Sequence, residues 1–404
     1  MKAGHLSEYF TGVAAKNLSA VEADVFRSHQ HEFNGVDALK KVFGNEPGKQ
    51  TFKARFIYLN DHDDEPVADD GFLTWYDARK KHAKRSEHRL YFPTTSVSQC
   101  AAEGDVLVLG RRPDGSVLVV IAEAFSTIAN QVQWLFGLND LKHPGFSVRE
   151  ELESEQDRVE FAARFILENI GVVVETHEES FLDAMLAKFG GAFPATTDFS
   201  EYSRSTLKDI NASDDPDAAV IAWMEREEIL FRTLERHLIA ERLTKGFNEA
   251  VEDFMGFSLS VQNRRKRRVG LALENHLEVV FSQCGIKYAR AAVTEIKSKP
   301  DFLFPGDAEY RNLNFDPLRL TMLGVKSTCK DRWRQVLTEA DRIPRKHLLT
   351  LETAISANQT AEMESRGLNL VVPSSLQKSY TDTQRQWLMS VADFSRLVKT
   401  RQEA

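Results

Sequence analysis

Two short apolar runs stand out in the second half of the chain. Phe302-Leu303-Phe304 and Met322-Leu323-Gly324-Val325 lack a helical period and read as buried strands on neighbouring positions of one sheet. Beyond them the period changes. Trp333, Val336, Leu337, Ala340 and Ile343 recur at helical spacing, which predicts an amphipathic helix over 331–343. Earlier helical patterns cover 178–189, 218–242, 245–255 and 271–281. The first half carries more strand signals: 52–59, 89–92, and a hairpin of 105–110 and 116–122 around the turn Arg111-Arg112-Pro113-Asp114-Gly115. Gly190-Gly191-Ala192-Phe193-Pro194 ends the 178–189 pattern, and 211–217 is a second polar stretch, so the linker is expected there. The predicted organisation is a strand-rich domain over 1–195 and a second domain of mixed helices and strands over 196–404. No internal repeat or low-complexity tract stands out.

Composition adds bounds. The chain has 404 residues, enough for two domains of ordinary size, and a formal charge of −8 from 52 Lys and Arg against 60 Asp and Glu. That balance argues against indiscriminate polyanion binding, so any nucleic-acid surface must concentrate its cations in a cleft. Cys100, Cys284 and Cys329 have no metal-type or redox-type spacing. With no signal-like segment and no long apolar run, a cytoplasmic protein without membrane association is expected. Cys329 lacks a nearby histidine and reads as a packed side chain.

The apolar runs carry the chemistry at their ends. Asp301 heads the first and Lys326 closes the second, with Glu339 thirteen residues further on. Two acids can hold Mg²⁺ through a few carboxylate contacts plus water, while an ammonium orients the attacking water and offsets phosphate charge. Arg332 and Glu339 lie seven apart, on one face of the predicted helix. Each residue alone would be an ordinary cap or surface side chain; their joint occurrence points to a magnesium-dependent nuclease.

The stretch resembles the EcoRII-like type II restriction endonucleases of the PD-(D/E)XK nuclease superfamily. The residues that carry the resemblance are Asn263-Arg264-Arg265-Lys266, Leu273-Glu274 with His276-Leu277-Glu278, Lys299-Pro300-Asp301-Phe302-Leu303-Phe304-Pro305, the run from Lys326 to Gln335, Glu339-Ala340-Asp341, and Leu370-Val371-Val372-Pro373-Ser374-Ser375-Leu376. The superfamily's second acid usually stands two residues before the lysine, where this chain has Gly324. The resemblance implies a displaced acid, and Glu339 matches it. It further implies a restriction-endonuclease-like α/β catalytic domain, catalytic roles for Asp301, Lys326, Glu339 and Glu274, and Mg²⁺ bound by Asp301 and Glu339. Lys330-Asp331-Arg332 matches a triplet that reads the outer C:G pairs of an interrupted CC/GG palindrome, with Arg334 close behind. Arg or Lys can donate to guanine O6 and N7, and a carboxylate can accept from cytosine N4.

Residues 263–268, with five successive cations, are expected to contact phosphate, chiefly through Arg264, Arg265 and Lys266. The resemblance implies that the N-terminal region is an accessory or effector DNA-binding domain of pseudo-barrel form. Trp75, Tyr76, Arg79, Lys80, Lys81, Lys84, Arg85 and Arg89 give it the mixture of a DNA-facing surface or of a solvated basic loop. The expectation is a homodimer cutting both strands of duplex DNA, since a palindrome is most simply read by two copies of one element. A cognate methyltransferase would act on the same site without stable binding. The alternatives are a catalytically silent, regulatory DNA-binding protein and a structure-specific repair nuclease.

Overall fold

The computed structural model describes all residues except 1, 3, 25–30, 34–37, 47, 64–65, 80–85, 142–144, 175–177, 249, 296–297 and 330–331, and the side chain of Phe161. The chain divides into two compact units. One comprises Met1–Val174 and Thr353–Gln359, the other Glu175–Glu352 and Thr360–Ala404. The division falls about fifteen residues before the linker expected from Gly190 to Pro194. The reason is packing: Met185 is buried with Phe199, Leu230, Phe231 and Leu234, and Phe181, Phe189 and Phe193 lie against that cluster. Apolar side chains on both sides of the glycine pair therefore belong to one small core.

The first unit is built on eight strands, β1 (Gly12–Asn17), β2 (Glu32–Phe33), β3 (Gln50–Leu59), β4 (Val67–Asp77), β5 (His88–Tyr91), β6 (Val106–Arg111), β7 (Val117–Ala122) and β8 (Ser147–Arg149). Their order is β2-β5-β4-β3-β7-β6-β1-β8, and only β3 and β7 pair in parallel. The expected hairpin is β6–β7, closed by Arg112 N donating to Ser116 O at 2.8 Å, with Gly115 at φ 82°. Its strands read as near-continuous apolar runs because both faces are covered. Val106 and Val108 join one core with Val132, Leu135 and Ile166, whereas Leu107 and Leu109 join another with Trp75, Leu90 and Phe43. Trp75 thus belongs to the interior rather than to a DNA-facing surface, and its indole donates to Gly44 O at 3.0 Å. Arg79 pairs with Glu87, and Arg89 with both Glu87 and Glu32. Lys80, Lys81, Lys84 and Arg85 lie outside the described residues.

The second unit joins a helical layer to a five-stranded mixed sheet. Helix α1 (Pro216–Lys245) starts at an Asp215 cap with Pro216 in its first turn, and helix α2 (Val251–Gln283) runs unbroken from the end of the pattern expected at 245–255 through the one at 271–281. The sheet order is β13-β12-β11-β10-β9, with β9 (Ala289–Arg290), β10 (Phe302–Phe304), β11 (Thr321–Lys326), β12 (Lys346–Thr350) and β13 (Leu368–Val371). β9, β10 and β11 pair antiparallel, and β11, β12 and β13 pair parallel. Phe281 near the end of α2 packs edge-on to Phe302 and Phe304, each at 5.1 Å between ring centroids. Removing a ring buried in this way costs about 3–5 kcal/mol, so this cluster fixes α2 against β10.

Candidate active site

The site begins where β10 and β11 meet. The register Phe302↔Leu323 brings Asp301 beside the end of β11, where Asp301 Oδ2 accepts from Val325 N at 2.6 Å and from Lys326 Nζ at 3.0 Å. Both side chains are about one-fifth exposed, 19% and 22%. The pair is therefore open enough for a ligand to reach and enclosed enough for the charges to act strongly on one another.

Glu274 arrives from α2, two turns before Phe281. Its carboxylate accepts from Arg290 Nη2 at 2.9 Å, and the same guanidinium reaches Glu278 at 2.9 Å and Asn275 Oδ1 at 2.8 Å. Arg290 stands opposite Phe302 in the β9–β10 pairing, next to Asp301. A single cation on an edge strand thereby gathers two glutamates of one helix face toward the site. Burial, and then the Asp301 charge, push the Glu274 carboxyl above its ordinary range despite Arg290. Arg290 escaped the sequence reading, although Glu274 and Glu278, four apart on a helix, signal a shared cation.

Glu339 comes from the connection between β11 and β12. The helix expected over 331–343 is one turn, α3 (Trp333–Val336), after which the chain bends through Ala340 at φ 51°. Other groups hold that bend. Lys346 Nζ, buried, donates to Ala340 O at 3.0 Å and Ile343 O at 2.9 Å. Asp341 N donates to Glu295, which also accepts from Tyr310 Oη at 2.5 Å, and Arg342 donates to Asn312 O and Phe315 O. The bend presents Glu339 to the charges of Asp301 and Lys326. Burial first, then Asp301, push its carboxyl up to about 7, with Lys326 and Lys346 opposing. Its Oε2 is buried and has no hydrogen-bond donor. A buried carboxylate oxygen without a donor beside another acid could be satisfied by a bound cation. Among the described residues, no three His, Cys, Asp or Glu side chains already converge as a cation cage. Mg²⁺ commonly takes one or two carboxylates and keeps its water, so Asp301 and Glu339 suit that ion.

Of the remaining expected residues, Lys330 and Asp331 lie outside those described. Arg332 is exposed just before α3, while Arg334 pairs with Glu362 at 3.0 Å. Cys329 is buried, its backbone N–H bound to Glu352, and burial raises its thiol well above the usual range. The cationic run is divided by the turn of α2. Arg268 is buried against Glu227 and over the Phe231 ring at 4.0 Å, Arg265 pairs with Glu235 at 2.7 Å, and Arg264 lies 3.9 Å from the Phe193 ring centroid. Lys266 and Arg267 are exposed.

With this arrangement in view, comparison with known proteins is informative. Residues 231–395 match the family described as EcoRII C terminal. This part of the chain is similar to that family. It contains Glu274, Asp301, Lys326 and Glu339, and its mixed sheet is the restriction-endonuclease-like fold. Over 203 residues the chain is 41% identical to the type II restriction enzyme EcoRII of Escherichia coli, across 50% of this chain and 50% of that relative. The match thus spans about half the length of the curated relative. Among solved structures, metal-depleted Ecl18kI in complex with uncleaved DNA shares 17% identity over 55% of this chain and 84% of that one, with a TM-score of 0.43. A complex of restriction endonuclease PspGI with substrate DNA shares 18% over 52% and 95%, with a TM-score of 0.44.

Proposed function

We propose that the protein is an EcoRII-like type II restriction endonuclease that makes magnesium-dependent double-strand cuts at an interrupted CC/GG palindrome of the CCWGG or CCNGG kind, in defence against foreign DNA. The observation that carries this reading is the contact between Asp301 and Lys326 at 3.0 Å with the unpaired, buried oxygen of Glu339 close to both. Bound Mg²⁺ would supply a Lewis acid for the scissile phosphate and a more acidic water. Asp301 and Glu339 would hold it. Lys326 would orient the attacking water and offset charge on the phosphate. Glu274, held by Arg290, would support the metal site or its water shell.

In this reading Lys330, Asp331 and Arg332 recognise the outer base pairs, Arg334 lies beside them, and two copies of the chain read the two half-sites. Of the cationic run, Arg264 and Arg265 contact phosphate only to the extent that Phe193 and Glu235 leave them free, so the exposed Arg267 becomes the stronger candidate. The domain over 1–195 is read as an accessory or effector DNA-binding domain. A cytoplasmic location and a methyltransferase acting on the same site complete the proposal. Incubation with unmethylated plasmid and Mg²⁺ tests it. Discrete fragments with common ends support restriction, structure-dependent nicks indicate a repair nuclease, and binding without cutting indicates a regulator.

A further inference from the structure

The first half of α2 carries an exposed face that, among the described residues, is left largely uncovered. From Val251 to Arg267 none of its residues is buried; its buried positions begin at Arg268. Within that stretch Val251, Phe254, Met255 and Leu259 are 67%, 47%, 58% and 55% exposed. The nearby aromatic packing joins Phe254 and Phe257 to Phe247 at 5.5 and 5.3 Å. Helices of this length draw most of their stability from packing an apolar face, and a contiguous apolar stripe rimmed by charge marks an interaction surface.

One face has a specific order. Glu252, Met255, Leu259, Gln262 and Lys266, all exposed, follow one another at steps of three and four, the spacing of a helix-pairing seam. An acid stands at one end and a base at the other, at equal distances from Leu259. A parallel second copy would set Glu252 against Glu252. An antiparallel copy sets Glu252 against Lys266 of the partner subunit at both ends and brings the two Leu259 side chains together on the axis. The face is therefore complementary to itself under a two-fold rotation, the requirement for an isologous interface.

We infer that this face is a self-association surface, on which two copies of the chain pair their α2 helices antiparallel about Leu259. This specifies a surface for the two-copy assembly proposed above and rests on that part of the reading. It assigns Lys266 to the partner's Glu252 rather than to DNA phosphate.

Sedimentation velocity of the full chain over a concentration series, at fixed salt and without DNA or metal, tests the inference. A reversible dimer is expected, and Leu259→Asp should shift it to monomer with the helical circular dichroism unchanged. Glu252→Lys and Lys266→Glu should each weaken the dimer about tenfold, because each reversal places two like-charge pairs where two ion pairs stood. The combined Glu252→Lys/Lys266→Glu variant should recover to within about threefold of the parent, a rescue that general loss of stability would not give. These two positions are exposed, so the charge series decides the matter even if Leu259→Asp fails to fold. A monomeric parent, a dimer indifferent to the reversals, or a combined variant no better than the single ones would each overturn the inference. A monomeric parent would also remove the two-copy part of the proposed function, a dimer indifferent to the reversals would leave that part standing, and neither bears on the cleavage chemistry.

Discussion

A Cβ at position 324 would lie 2.7 Å from Val336 Cγ2, closer than such atoms approach in folded proteins. Gly324 stands two residues before Lys326, where the wider nuclease superfamily usually carries its second acid. The space for a side chain there is filled by Val336, and three residues after Val336 the chain supplies Glu339. In the proposed reading, the packing of Val336 against Gly324 leaves no room for an acid on the strand, and Glu339 on the following bend takes that role.

Gly324→Ala should therefore destabilise the protein by about 1–3 kcal/mol through overpacking. Val336→Ala makes the missing room, so the double variant should lose less than the sum of the two single ones. Denaturant midpoints at constant m-value measure this. Strict additivity would show that the two sites do not share the space.

Glu339 should make stability depend on pH and metal together. Its carboxyl titrates near 7 in the fold against an ordinary 4.5, so the folded state favours the protonated form. The associated stability is present in full below about pH 4.5 and is lost as pH rises through 7. Relative to Glu339→Gln, the metal-free protein should lose up to about 3 kcal/mol over that interval. Mg²⁺ binds the deprotonated form, so it should raise Tm more at pH 8 than at pH 6 in the parent and much less in Glu339→Gln. A Tm gain that is equal at both pH values, or unaffected by the substitution, would remove Glu339 from the metal site.

Base reading and packing should separate between Arg332 and Arg265. Arg332 is exposed, and Arg332→Ala is expected to lose discrimination at a G:C pair on the order of 1–3 kcal/mol while nonspecific affinity changes little. Arg265 instead neutralises Glu235, whose side chain is only 2% exposed. Arg265→Ala should cost about 1–2 kcal/mol of stability with little change in the salt dependence of DNA binding. Affinities for specific and nonspecific duplexes across salt, together with thermal melts, distinguish the two. Equal loss of specific and nonspecific binding in Arg332→Ala would refute its reading role.

The parts of the site that depend on local pattern were legible in the sequence. The strands ending in Asp301 and Lys326 follow from short apolar runs, and the register between them accounts for the contact of the two side chains. The helix over 331–343 did not form, although Trp333, Val336, Ala340 and Ile343 are all buried as their spacing suggested. Periodic burial was present, but Lys346 binds the carbonyls of Ala340 and Ile343, and the chain turns at Ala340. A buried lysine seven residues after Glu339 gives no sign in sequence of which carbonyls it will bind. The partners within the cationic run were hidden for a related reason. Glu227, Glu228 and Glu235, which pair with Arg268 and Arg265, lie on a different helix, so the run itself gives no sign of them. Arg290 was missed because its two-residue strand carries almost no pattern of its own.

The most direct measurement is Mg²⁺-dependent cleavage of unmethylated plasmid by purified parent, Asp301→Ala and Lys326→Ala, alongside specific duplex binding in Ca²⁺. The parent should give discrete fragments with ends at an interrupted CC/GG palindrome. Both variants should bind that duplex nearly as the parent does and leave the plasmid uncut, because the two residues serve metal and water rather than base reading. Near-parental cutting by either variant would contradict the assignment of this site.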